Sequence, residues 1–177
     1  YTPSNPPVGA NRLTINLQTI RPEHFEGIVN FSDPQFQAIR MAYRKSRSNW
    51  VRDLMLTDAV DAGMESNSQR NGEFAAATIM VVQRKLRLLL SLEKNEEGVV
   101  FSRHEVFDST TKGLNTVNDI VKDIEQGKVV VLDTSRLGDE AELLVGNIIA
   151  SKLLEKYKEA KAKGDLERKP VATIVIE

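Results

Sequence analysis

Three observations predict an α/β fold. Val129-Val130-Val131-Leu132 and Val171-Ala172-Thr173-Ile174-Val175-Ile176 are continuous apolar runs, the pattern of strands covered on both faces rather than one. Between them, Leu143, Leu144, Ile148, Leu153, Leu154 and Tyr157 give residues 139–163 an apolar helical face. Strand, helix and strand in that order read as a βαβ unit with parallel strands near 128–133 and 171–176. Ahead of it, apolar residues recur mainly at helical spacing. The chain therefore divides near Gly127: 1–20 is a loop and short strand, 21–127 a mainly helical bundle, and 128–177 the βαβ segment.

Composition limits the function classes. The 177 residues are 41% hydrophobic and 28% charged, which excludes a disordered or low-complexity chain. With 24 basic and 25 acidic side chains the net charge is −1, so any nucleic-acid contact must be a local patch. There is no Cys, which removes disulfides, thiolate metal sites and a Cys nucleophile and fits a cytoplasmic protein. His24 and His104 stand in separate segments, neither with a second His at ligand spacing, and read as surface or capping residues. No apolar stretch approaches the roughly 18 residues of a membrane span. The loop-like start from Tyr1 to Gly9 and the stop at Glu177, at the tip of an apolar run, predict a piece excised from a longer protein.

Element by element, Leu13-Thr14-Ile15-Asn16-Leu17 alternates with period two and predicts a strand. Pro22 predicts a helix from about Arg21 to Val29. Ser32 or Asp33 followed by Pro34 predicts a second helix start, and Phe36, Ile39 and Tyr43 carry it to about Lys45. Trp50, Leu54 and Val60 predict a helix from Asn49 to Ala62, followed by a polar loop from Glu65 to Gly72. Residues 73–92 predict a long helix whose apolar positions run almost all round it, implying packing on several sides. Val99-Val100-Phe101 predicts a short strand. Thr116 predicts the cap of a helix through Val117, Ile120, Val121 and Ile124 that ends at Gly127. The next helix, 139–163, has Asp139, Glu140 and Glu142 at its start, Lys158, Lys161 and Lys163 at its end and Gly164 as its stop. That charge order suits the helix dipole.

The chemistry-bearing patterns are few. None of the ten glycines opens a phosphate-binding loop, which needs Gly-rich backbone followed by Lys and Ser/Thr. The run Val171 to Glu177 ends in an acid, as a Walker B strand does when it places a carboxylate to hold Mg²⁺ beside phosphates. Asp133, at the end of the earlier run, either orients a ligand or caps a turn through Ser135 and Gly138. Arg40, Arg44, Lys45, Arg47 and Arg52 occur with no acid between Arg40 and Asp53, and Tyr43 and Trp50 are interleaved. Arg40, Arg44 and Arg47 are predicted on one helical face, where they could meet phosphates or simply form a solvated face.

Taken in order, Pro6-Pro7-Val8-Gly9-Ala10-Asn11, a short strand, paired helices, a long helical region, Val130-Val131-Leu132-Asp133-Thr134-Ser135, a long helix and Pro170 to Glu177 resemble the middle of a HerA-type ATPase. That family is the archaeal hexameric DNA translocase of the HerA/FtsK superfamily. The resemblance implies a P-loop NTPase (RecA-like) core carrying a large mainly helical insertion, with the phosphate loop upstream of Tyr1. It implies ATP and Mg²⁺ as cofactors, and Glu177 as the Walker B acid and Mg²⁺ ligand. The second acid of that strand would follow Glu177. It also implies double-stranded DNA, a homohexamer and a NurA-type nuclease as partners, in DNA end resection and repair. Arg40, Arg44, Arg47 and Arg136 are the DNA-contact candidates. The 177 residues alone are expected to hydrolyse no ATP, and the open edges of an incomplete sheet are expected to drive self-association. Two other readings stay open: a non-catalytic helical interaction module, and a small α/β hydrolase using Asp133 and Glu177.

Overall fold

The computed structural model describes residues 1–3, 6–57, 76–95, 100–103, 106–109 and 113–175. Its architecture is α/β, with short strands and long helices sharing one core. Strand β1, Ile15–Asn16, is buried on both faces: Leu13, Ile15 and Asn16 have no exposure and Thr14 has little. It pairs in parallel with β4, Phe107–Asp108, in the register Ile15↔Phe107. Just before β1, Thr2 bridges Arg12 in parallel. Between β1 and β4 come helices α1 (Asp33–Ser46), α2 (Trp50–Leu56) and α3 (Ala76–Leu89). They are followed by an antiparallel pair, β2 (Leu92–Lys94) with β3 (Val100–Ser102). Helices α4 (Thr116–Glu125) and α5 (Asp139–Lys163) complete the order.

The helix limits follow from local chemistry. At the start of α1 the Ser32 N–H donates to Gln35 Oε1 at 3.2 Å, closing one arm of a capping box over Pro34. Gly164 closes α5 in the left-handed conformation (φ +77), and its N–H reaches the carbonyls of Ala160 and Lys161. Gln83 Nε2 donates to the carbonyls of Leu54 (2.7 Å) and Thr57 (2.8 Å), so α3 satisfies the end of α2. The segment opened by Pro22 departs from the predicted helix. It is one 3-10 turn, Pro22–Phe25, because Glu26 is extended (ψ 127) and Gly27 has φ +76, which breaks the α-helical ladder. The predicted helix end near Ala62, the loop 65–72, the start of the long helix at 73 and Val99 lie outside the described residues.

Most of the buried residues form one contiguous cluster. It includes Leu13, Ile15, Ile20, Phe25, Ile39, Trp50, Leu86, Leu90, Leu92, Ile120, Leu144 and Ile148, so residues on both sides of Gly127 contribute. α1 packs on α2 and α3, and α4 on α5. In the 76–89 helix Val82, Leu86 and Leu89 are buried and Ile79 packs against the core, whereas among the described residues Met80 is 57% and Leu88 74% exposed.

The parallel strands expected near 128–133 and 171–176 are not strands among the described residues. The first run is extended and pairs only with the start of the chain. The Tyr1 amino group donates to Val131 O and the Asp133 N–H to Tyr1 O, both at 2.8 Å, in the parallel manner. Residues 171–175 make no backbone–backbone hydrogen bond with another described residue. The physical reason is the absence of cover. A continuous apolar run becomes an inner strand only when both faces and both edges meet protein, whereas here Val129 is 93%, Val171 94% and Val175 76% exposed.

Gly113 tests the packing directly. It has φ +72, and an added Cβ would lie 2.5 Å from the Thr14 carbonyl oxygen, beside the strand that runs into β1. Gly164 has φ +77 but open space. Gly113→Ala should cost about 2–3 kcal/mol through clash and strain together, and Gly164→Ala only about 1 kcal/mol. Urea midpoints of the two variants check this; equal costs would refute the close approach at Thr14.

Candidate functional site

The basic stretch occupies the outer surface of α1 and the turn that follows it. Ala38 and Ile39 face the core, and Tyr43 packs against it, leaving Arg40, Arg44 and Lys45 outward. The interleaved Trp50 is fully buried, so the aromatics of this stretch serve the core rather than a ligand. Its ring meets Phe25 edge to face at 6.0 Å, and its indole N–H donates to Ile20 O at 2.8 Å.

The three arginines predicted on one face are not equivalent. Arg40 is engaged: its guanidinium bonds Glu26 Oε1 at 3.1 Å and lies 4.6 Å from the centre of the Phe36 ring. Arg44, Lys45 and Arg52 are exposed and form no ion pair among the described residues. Arg47 has left the helix. It is the C-cap of α1, with φ 50 and ψ −122, so the shared helical face ends at Ser46. That backbone conformation favours Gly, and an L side chain holds it at a cost of order 1–3 kcal/mol. The Arg47 side chain is exposed and likewise without an ion pair among the described residues.

Asp133 builds a turn. Its Oδ1 accepts from the Ser135 hydroxyl (2.6 Å) and N–H (3.2 Å), and its Oδ2 from the Thr2 hydroxyl (3.0 Å). These bonds, first the Ser135 hydroxyl, then its N–H, then Thr2, hold the Asp133 carboxyl below its ordinary range. Both oxygens accept hydrogen bonds, and Ser135 is the turn partner the sequence named. Arg136 follows, exposed and unpaired among the described residues. Glu177 and His104 lie outside the described residues.

The described residues do not by themselves make a nucleotide–Mg²⁺ site. They contain no group of three or more His, Asp or Glu able to hold a metal, and the sequence has no phosphate loop to accompany one.

His24 is a capping residue, and a buried one. Its Nδ1 accepts the Arg21 N–H at 3.1 Å, and it is only 7% exposed. Its carbonyl accepts from Asn147 Nδ2 at 2.9 Å, fastening the turn to α5. Burial foremost, with the nearby Arg21 charge, lowers its pKa to about 4. Sequence reasoning allowed for the cap, but nothing local signalled the burial. Nor did it find the strained backbone at Arg47, for which the only sequence hint was a Ser-Arg-Ser junction between two helical runs.

The model of the family described as the helicase HerA central domain matches residues 1–153. The match includes α1, the Arg47 turn and Asp133, and stops short of the 171–177 run. No curated protein and no solved structure matches the chain.

The depressed His24 pKa fixes a pH dependence. The unfolded chain takes up a proton near 6.5, the folded one only near 4. Stability should therefore fall as pH drops from about 6.5 towards 4, by up to about 3 kcal/mol, and level off below. Gln can accept the same Arg21 N–H without titrating, so His24→Gln should flatten that part of the stability–pH curve. An unchanged curve in the variant would refute the assignment.

Proposed function

Since the chain belongs to the family of the helicase HerA central domain, we propose that it is the central part of an ATP-dependent translocase acting on double-stranded DNA. The match over residues 1–153 is the observation that carries this reading. On it, residues 21–127 are a mainly helical insertion and 128–177 a segment of a P-loop NTPase core. The phosphate loop is supplied from outside the 177 residues, consistent with a sequence that contains none.

Glu177 is proposed as the Walker B acid, at the end of the run Val171 to Ile176. The exposure of Val171 and Val175 supports a strand that becomes covered when the rest of such a core is present. Hexamer formation, a NurA-type nuclease partner, a role in DNA end resection and a cytoplasmic location belong to the same proposal. No helix among the described residues is long and apolar enough to cross a membrane.

The 177 residues alone should show no ATP hydrolysis above background; robust turnover would overturn the account of an external phosphate loop. In a full-length protein that hydrolyses ATP, Glu177→Gln should lower Mg²⁺-dependent turnover by at least about a hundredfold, the scale of one lost electrostatic contact in phosphoryl transfer. Unchanged turnover would remove Glu177 from the site. Duplex DNA binding by the chain should weaken with salt at a slope of about −0.9 for each phosphate neutralised. Absence of salt-sensitive binding would count against the translocase reading.

A further inference from the structure

We infer that Arg47 is a phosphate-contacting residue for duplex DNA, held in place by its strained backbone, and that Arg44, Lys45 and Arg52 extend the same basic surface. This rests on the translocase reading above and sharpens where the chain meets DNA.

Two independent features single out Arg47. The first is conformational. At φ 50 and ψ −122 it occupies the C-cap of α1, a place where Gly would sit without strain. The junction is closed on both sides, by the Arg47 N–H to Tyr43 O and by the Trp50 N–H to Arg47 O. Trp50, fully buried and bonded to Ile20 O, fixes where the chain must re-enter a helix. Arg47 is thus held on a rigid corner, and its side chain starts from an anchored backbone.

The second feature is electrostatic. Arg47 is exposed and unpaired among the described residues, as are Arg44, Lys45 and Arg52, whereas Arg40 on the same helix is neutralised by Glu26 and stacked on Phe36. Among the described residues these four cations have no ion pair, on a chain whose net charge is −1, so a phosphate brought to them would find positive charge not already neutralised there. A guanidinium fork suits phosphate oxygens. The contact proposed is with the phosphate backbone, which fixes position on a duplex without itself reading sequence.

The test uses the 177-residue chain, a labelled random-sequence 30-base-pair duplex, a salt titration and a thermal melt. Arg47→Gly should raise Tm by about 2–4 °C, as strain is relieved. It should also weaken duplex binding about three- to tenfold and flatten the salt slope by about 1. Arg47→Lys keeps the charge and the strain, and should leave Tm unchanged and affinity within about twofold. A Gly variant with higher Tm but unaltered affinity and slope would overturn the phosphate contact while leaving the translocase reading intact. A Gly variant with no gain in Tm would overturn the role of strain. A wild-type chain with no salt-dependent duplex binding would overturn both readings.

Discussion

Trp50 has no exposure to solvent, and the only polar atom of its side chain finds the Ile20 carbonyl at 2.8 Å. Much of the structure is arranged around satisfying that one group. A buried indole N–H left without a partner costs about 1–3 kcal/mol, so the end of the β1 segment and the start of α2 are held to each other. Phe25 closes over the ring edge to face, and Phe31 meets Phe25 in the same way. This aromatic run carries the order outward to the surface: Phe36 lies next to Phe31, and Arg40 stacks on Phe36. The charged face of α1 is therefore a direct extension of the core, and its cations are presented by a packed scaffold rather than by a loose loop.

Electrostatics then separates residues that look alike in sequence. Arg40 and Arg44 are one helical turn apart, yet one has a carboxylate and a ring beneath it and the other has neither among the described residues. The Arg40 pair is more than half exposed on each side and contributes at most about 1 kcal/mol to stability, but it removes a positive charge from the surface available to an anion. Asp133 shows the same economy among the acids. Its oxygens accept from Ser135 and Thr2, so it shapes the turn leading to Arg136.

What was legible in the sequence was what short-range chemistry decides. α5 begins at Asp139 with acids in its first turn and ends at Lys163 before a left-handed glycine, as the charges and Gly164 predicted. α1 begins beneath Ser32 and Pro34 for equally local reasons. The family resemblance also rested on an ordered series of such local patterns, and the family match agrees with it over residues 1–153. What was not legible depends on partners distant in sequence. Periodicity cannot say whether an apolar run will find neighbours, so it reads 128–133 and 171–176 as inner strands, although the described residues do not cover Val129, Val131, Val171 or Val175. Helical spacing placed Arg47 on the face of Arg40 and Arg44, because nothing in a residue's identity announces a positive φ when it is not Gly. The burial of His24 escaped for the same reason, since Asn147, which holds that turn, lies 123 residues away.

The seating of Tyr1 and Thr2 bears on the order in which the molecule is assembled. These residues are bonded on one side to residues 131 and 133 and on the other to residues 11–13, so a contact spanning 130 positions closes the array. Joining the ends of so long a loop costs about 4 kcal/mol of chain entropy, recovered only once the intervening core has formed. During synthesis, the first residues of this segment must wait for the ribosome to deliver residue 133 before their backbone is satisfied. The pairing of residues 1–2 with 131–133 is thus a late contact, formed only after the helices and strands between them are in place.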